Sequence, residues 1–178
     1  DFQRRFPITD YEYYRDAIEQ LKLGDHAALL GEKNRLLMFS LSSGTTSQSK
    51  FIPITQKFLR DYRCGWQIWG IRALDDHRRI SHGKIIQLSS DHDRFRSPGG
   101  TPCGNISGLA ATMQNPLVRT MYSVPAIVSK IQDPTAKQYT TLRLALADEH
   151  VALGMTANPS TLIHLVTFGE QVAVELIP

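Results

Sequence analysis

Short apolar runs of strand length alternate along this chain of 178 residues with longer segments of helical periodicity. That alternation limits the fold more than any other feature. Parallel strands need long crossovers, and a helix is the usual one. Leu36 to Leu41, Lys84 to Leu88 and Val151 to Thr156 have the length and composition of buried strands. Helical spacing covers residues 10–23 (Tyr11, Tyr14, Ile18, Leu21) and 56–75 (Phe58, Leu59, Tyr62, Trp66, Trp69, Ile71). Further helices are expected at 116–131, bent or divided by Pro125, at 134–148, and from 159 to a stop near Gly169. The pattern predicts an α/β fold with a largely parallel sheet flanked by helices.

Local chemistry marks the ends of these elements. Thr9-Asp10-Tyr11-Glu12 has the form of a capping box, and Gly24 stands where that helix should stop. Thr55 can cap the second helix, and Asp133-Pro134 and Asn158-Pro159 each set a capping side chain before a proline at the first helical position. Ser89 to about Asn115 shows no periodicity, and a stretch of that length inside a folded protein is usually functional or mobile. The chain opens at Asp1 without methionine and closes in the strand-like run Val172 to Pro178, which reads as a piece of a longer protein.

Composition narrows the function classes. The net charge of +3 is small, and Asp75, Asp76, Asp91 and Asp93 interrupt the basic residues Arg72, Arg78, Arg79, Arg94 and Arg96. No aromatic platform accompanies them, so nucleic acid is not an expected partner. No apolar run approaches the roughly 20 residues of a bilayer helix, and no signal peptide opens the chain. Cys64 and Cys103 then fit free thiols in a reducing cytoplasm. Asp91-His92-Asp93 lacks the distant partners a metal site needs, and the histidines have no ligand spacing, so no metal ligand is assigned.

The chemistry concentrates in Ser42-Ser43-Gly44-Thr45-Thr46-Ser47-Gln48-Ser49-Lys50, between the strand at Leu36 to Leu41 and the short apolar run Phe51 to Ile54. Glycine permits close backbone approach, hydroxyls donate to phosphate oxygens, and lysine brings a point charge. Gly44 and Lys50 have the separation of a Walker loop, but Ser49 precedes the lysine and Phe51 follows it, so the magnesium-binding hydroxyl is missing. One glycine is too few for a dinucleotide fingerprint. The Ser/Thr-Gly-Ser/Thr phosphate loop of adenylate-forming enzymes fits, as does a plain polar turn.

The flanks favour the phosphate loop. Phe39 to Ser47 with Lys50-Phe51-Ile52-Pro53-Ile54-Thr55 resembles the phosphate-loop segment of the Gretchen Hagen family, the acyl-acid amido synthetases of the adenylate-forming superfamily. Phe6-Pro7-Ile8-Thr9-Asp10-Tyr11-Glu12 and Ile18 to Gly24 are similar to that family's lead-in helix, and Gly104-Asn105-Ile106-Ser107-Gly108 is a weaker echo. Gln48 stands where the family usually has glycine, and the loop is shorter.

The resemblance implies that Ser42, Ser43, Gly44, Thr45, Thr46, Ser47 and Lys50 hold the phosphates of ATP, accompanied by Mg2+, and that Gly104, Asn105, Ile106 and Ser107 reach the substrate. A carboxylic acid would be adenylated and passed to an amino acid. The family's adenine and ribose motifs and its C-terminal domain are absent. Residues 1–178 are therefore expected to be an incomplete N-terminal domain, inactive alone and without an assignable catalytic residue. An acyl-CoA ligase of the same superfamily and a non-catalytic α/β binding module are the alternatives. Trp66 and Trp69 lie three apart on one helix, as core residues or as the wall of an acyl pocket. Cys103 has no identifiable partner for a nucleophilic role.

Overall fold

Thr55, Asp133, Asn158 and Gly24, expected from the sequence as caps, set four helix boundaries in the computed structural model, which describes residues 2–31, 33–42 and 49–176. The described strands are β1 (Leu36–Ser42), β2 (Lys50–Thr55), β3 (Lys84–Gln87), β4 (Phe95–Arg96), β5 (Pro102–Gly104) and β6 (Val151–Met155). The described α-helices are α1 (Phe2–Arg5), α2 (Arg15–Leu23), α3 (Gln56–Asp76), α4 (Ile106–Thr112), α5 (Pro116–Arg119), α6 (Pro134–Leu146), α7 (Pro159–Gln171) and α8 (Ala173–Leu176). Two compact units result: Asp1–Leu59 with Asp93–Gly104, and Arg60–His92 with Asn105–Pro178.

The first unit is built on a sheet of order β2-β1-β5-β4. β1 lies between two neighbours, and both Met38 and Phe39 are fully buried, as expected of a strand covered on both faces. Phe39 joins Leu21, Leu36 and Cys103 in the core, with Leu29, Leu30 and Phe51 packed against them. α2 contributes Ile18 and Leu21 to the interior and ends at Gly24, whose φ of 105° suits a residue without Cβ. Its entry differs from the expected capping box. A 3₁₀ turn, Glu12–Tyr14, precedes α2; Asp10 accepts from the Tyr13 N–H of that turn at 3.2 Å, Glu12 is held by Arg15 at 2.6 Å, and the start of α2 at Arg15 has no side-chain cap. The Thr55 hydroxyl caps α3 by accepting from the Phe58 N–H.

The second unit carries the parallel pair β3 and β6. Its core joins Val124, Val128 and Ala145, with Ile86, Ile131 and Leu144 packed on them. Asp133 caps α6 through the Ala136 N–H at 2.6 Å, and Asn158 caps α7 through the Ser160 N–H at 3.1 Å.

The α/β class holds, with sheets flanked by helices, but the pairing is mixed. β1–β5 and β3–β6 are parallel, whereas β1–β2 and β4–β5 are antiparallel. The connections inside those antiparallel pairs are too short for a crossover.

Three expectations need correction. Residues 89–115 contain β4, β5 and α4, elements too short to print a period. The segment 116–131 is divided, one of the two outcomes expected of Pro125, but its pieces are shorter than expected: α5 and a 3₁₀ turn, Ala126–Lys130, with Tyr122 between them bridging to Ile85. The terminal run is helical at Ala173–Leu176, where Leu176 is buried and its carbonyl accepts from Arg143.

Candidate functional site

The polar loop leaves and re-enters one antiparallel ladder. β1 and β2 pair in register from Ser40↔Ile52 through Leu41↔Phe51 to Ser42↔Lys50. Ser42 and Lys50, the two ends of the expected phosphate loop, are therefore register partners at its base. Ser43, Gly44, Thr45, Thr46 and Ser47 lie outside the described residues, with Gln48.

The lead-in segment secures this base. The Tyr11 hydroxyl accepts from the Phe51 N–H at 3.0 Å, and the Lys50 ammonium sits over the Tyr11 ring, 5.2 Å from its centroid. Phe51 packs edge-to-face on Phe39 and Phe95, with the Lys22 ammonium 4.2 Å from its ring centroid. Glu12 bonds to Arg15 through both carboxylate oxygens, at 2.6 and 2.7 Å. That bond holds its carboxyl below the usual carboxylate range, with a smaller contribution from the Lys50 charge. Among the described residues Lys50 makes no ion pair, which leaves a cation at the loop base for an anion to meet.

The expected substrate segment is divided. Gly104 ends β5, buried, in parallel register with Ser40. Asn105, Ile106 and Ser107 belong to the second unit. There the Asn105 N–H donates to the Asp91 carbonyl at 2.9 Å, and the Ser107 hydroxyl accepts from the Ser90 N–H at 3.4 Å. Gly108 follows in close approach, since a Cβ there would lie 2.1 Å from the Ser90 carbonyl oxygen.

Of these residues only Ser107 borders a pocket of about 550 Å³ within the second unit. Its aromatic wall comes from α3, where Tyr62 meets Trp66 and Trp66 meets Trp69 edge-to-face, the latter at 5.5 Å. The wall reading of the two tryptophans is thus favoured over a core one, and Trp69 is 46 % exposed. The opposing chemistry is a short polar chain. Gln114 Nε2 donates to the Tyr122 hydroxyl at 2.9 Å and to Gln87 Oε1 at 3.3 Å. Burial pushes the Tyr122 phenol up, and the Gln114 bond offsets part of that rise. The one charged lining residue among those described, Arg63, donates to the Met113 carbonyl. Volume and lining suit a small ligand with an apolar body.

Sequence reasoning did not single out Gln87, Gln114 or Tyr122. They stand far apart in the chain and share no spacing that marks a site. Cys103 lies in the first core, where burial pushes its thiol up, away from the thiolate a nucleophile needs. Among the described residues no three His, Cys, Asp or Glu side chains are grouped to hold a metal ion.

Residues 1–178 match the sequence model of the GH3 family N-terminal domain. No curated protein matches the chain. Among solved structures, one described as GH3.15 acyl acid amido synthetase superposes with a TM-score of 0.81 at 19% identity, over 96% of this chain and 30% of that one. Another, AtGH3.15 acyl acid amido synthetase in complex with 2,4-DB, gives 0.77 at 20% identity over the same shares, 96% and 30%. The chain thus spans about 30% of the length of the solved structures it resembles, and the likeness at such identities is one of fold.

Proposed function

The chain belongs to the GH3 family, and from that premise we propose that it is the phosphate-binding part of an ATP-dependent acyl-acid amido synthetase. The observation that carries this reading is the base of the polar loop. Lys50 stands opposite Ser42, tethered by Tyr11 and without an ion pair among the described residues. Backbone amides and hydroxyls from Ser42 to Ser47 would bind the phosphates of ATP, and Lys50 would offset their charge. Mg2+ would arrive with the nucleotide. The phosphates so held would leave the α-phosphorus open to a carboxylate, which would displace pyrophosphate to give an acyl-adenylate; an amino acid's amine would then attack the acyl carbon and release AMP.

The acid's body is assigned to the pocket of the second unit. Its tryptophans offer apolar surface, and Gln114 with Tyr122 offers hydrogen bonds. Ser107 stands at its border. Chemistry of this kind depends on positioning and charge neutralisation.

The test is ATP–pyrophosphate exchange by the whole protein over a panel of carboxylic acids. Acid-dependent exchange, followed by amide formation when amino acids are added, is the expected result. No exchange with any acid, together with no ATP binding, would overturn the synthetase reading. Exchange that turns over only with coenzyme A would move the protein to the acyl-CoA ligases.

A further inference from the structure

We infer that Tyr11 is a positioning residue for Lys50, its ring acting as a platform that holds the ammonium at the base of the phosphate loop. This rests on the phosphate-binding reading above and assigns a role to a residue outside the loop.

Three observations carry it. The Lys50 ammonium lies over the Tyr11 ring at 5.2 Å from the centroid, inside the range of cation–π attraction. The ring is itself fixed, because its hydroxyl accepts from the N–H of Phe51, the residue next to Lys50 in β2. The competing carboxylate nearby, Glu12, is held by two bonds to Arg15. A lysine carries four rotatable side-chain bonds and would otherwise sample many positions. An aromatic face restricts it without neutralising its charge, unlike a carboxylate, so the cation remains able to pair with phosphate.

The hydroxyl and the ring make separable contributions, and conservative variants divide them. Tyr11→Phe keeps the ring and removes the bond to the Phe51 N–H. Tyr11→Leu removes both. The experiment measures KM for MgATP and kcat in ATP–pyrophosphate exchange by the whole protein, with thermal melts to establish that each variant is folded. Tyr11→Leu is expected to raise KM for MgATP roughly three- to tenfold, with kcat changing less, and Tyr11→Phe to restore most of that loss. In a Lys50→Met background, which by itself should raise KM by on the order of 10–100-fold, Tyr11→Leu should add nothing.

The inference is overturned if Lys50→Met weakens ATP use while folded Tyr11→Leu does not. It also fails if the two effects multiply in the double variant, since a platform acting through Lys50 has nothing left to position once the ammonium is gone. If Lys50→Met itself leaves KM unchanged, the phosphate-loop reading falls first and this inference with it. Should Tyr11→Leu not fold, Tyr11→Trp keeps a ring and must preserve the low KM; a rise as large as that of Lys50→Met would refute the platform.

Discussion

Gly108 has no space for a side chain. A Cβ there would lie 2.1 Å from the Ser90 carbonyl oxygen and 2.8 Å from the His92 nitrogen, and both are backbone atoms. A flexible side chain could swing away, but two segments of main chain have to separate. Gly108→Ala is therefore expected to destabilise the protein by about 1–3 kcal/mol, read as a lowered urea midpoint with little change in slope. A midpoint within error of the parent would mean that the approach of α4 to residues 90–92 is looser than described. Lys50 presents the opposite situation, a side chain whose surroundings preserve its charge. The ammonium sits over the Tyr11 ring, and Glu12 is engaged by Arg15, so among the described residues no carboxylate pairs with Lys50.

At the scale of elements, the parallel β3–β6 ladder is anchored at one end by charge. Lys84 Nζ lies 3.0 Å from Asp148 Oδ2, and the Lys84 N–H donates to the His150 carbonyl at 2.7 Å. The Lys84 bond holds the Asp148 carboxyl below its usual range against the opposing effect of burial, and the His150 N–H adds to the lowering. A carboxylate whose value is lower in the folded than in the unfolded chain stabilises the fold above its unfolded value, about 3.9. That stabilisation is lost as pH falls through the folded value. Asp148→Asn should therefore be less stable than the parent near neutrality, and the difference should close as the medium is acidified below about pH 4. Denaturant midpoints at several pH values measure it; a difference that persists unchanged in acid would show that the ion pair contributes nothing.

At the scale of the whole molecule, the synthetase reading proposed above makes charge in the second unit's pocket a test of acid choice. Arg63, the one charged residue among the described lining groups, is committed to the Met113 carbonyl. A second charge on the body of a bound acid would lose its hydration without gaining a partner. Monocarboxylic acids with aromatic or aliphatic bodies are thus expected to support ATP–pyrophosphate exchange, and acids carrying a further carboxylate on that body are not. Comparable exchange with both classes would separate the pocket from acid recognition. The sequence by itself determined what depends on local bonding and short-range periodicity. The β1 strand, the Gly24 stop and the Thr55, Asp133 and Asn158 caps are legible because each acts through residues a few positions away. Tertiary structure alone decided the mixed strand pairing, the Ile85–Tyr122 bridge that ends α5 early and the meeting of Gln87, Gln114 and Tyr122. It also brought Tyr11 beneath Lys50, 39 positions along the chain from Phe51's partner hydroxyl to the lysine it faces. The reason is physical: a cap or a helical period is set by neighbours in sequence, whereas a ring under an ammonium or an amide between two elements exists only once the chain has folded back on itself.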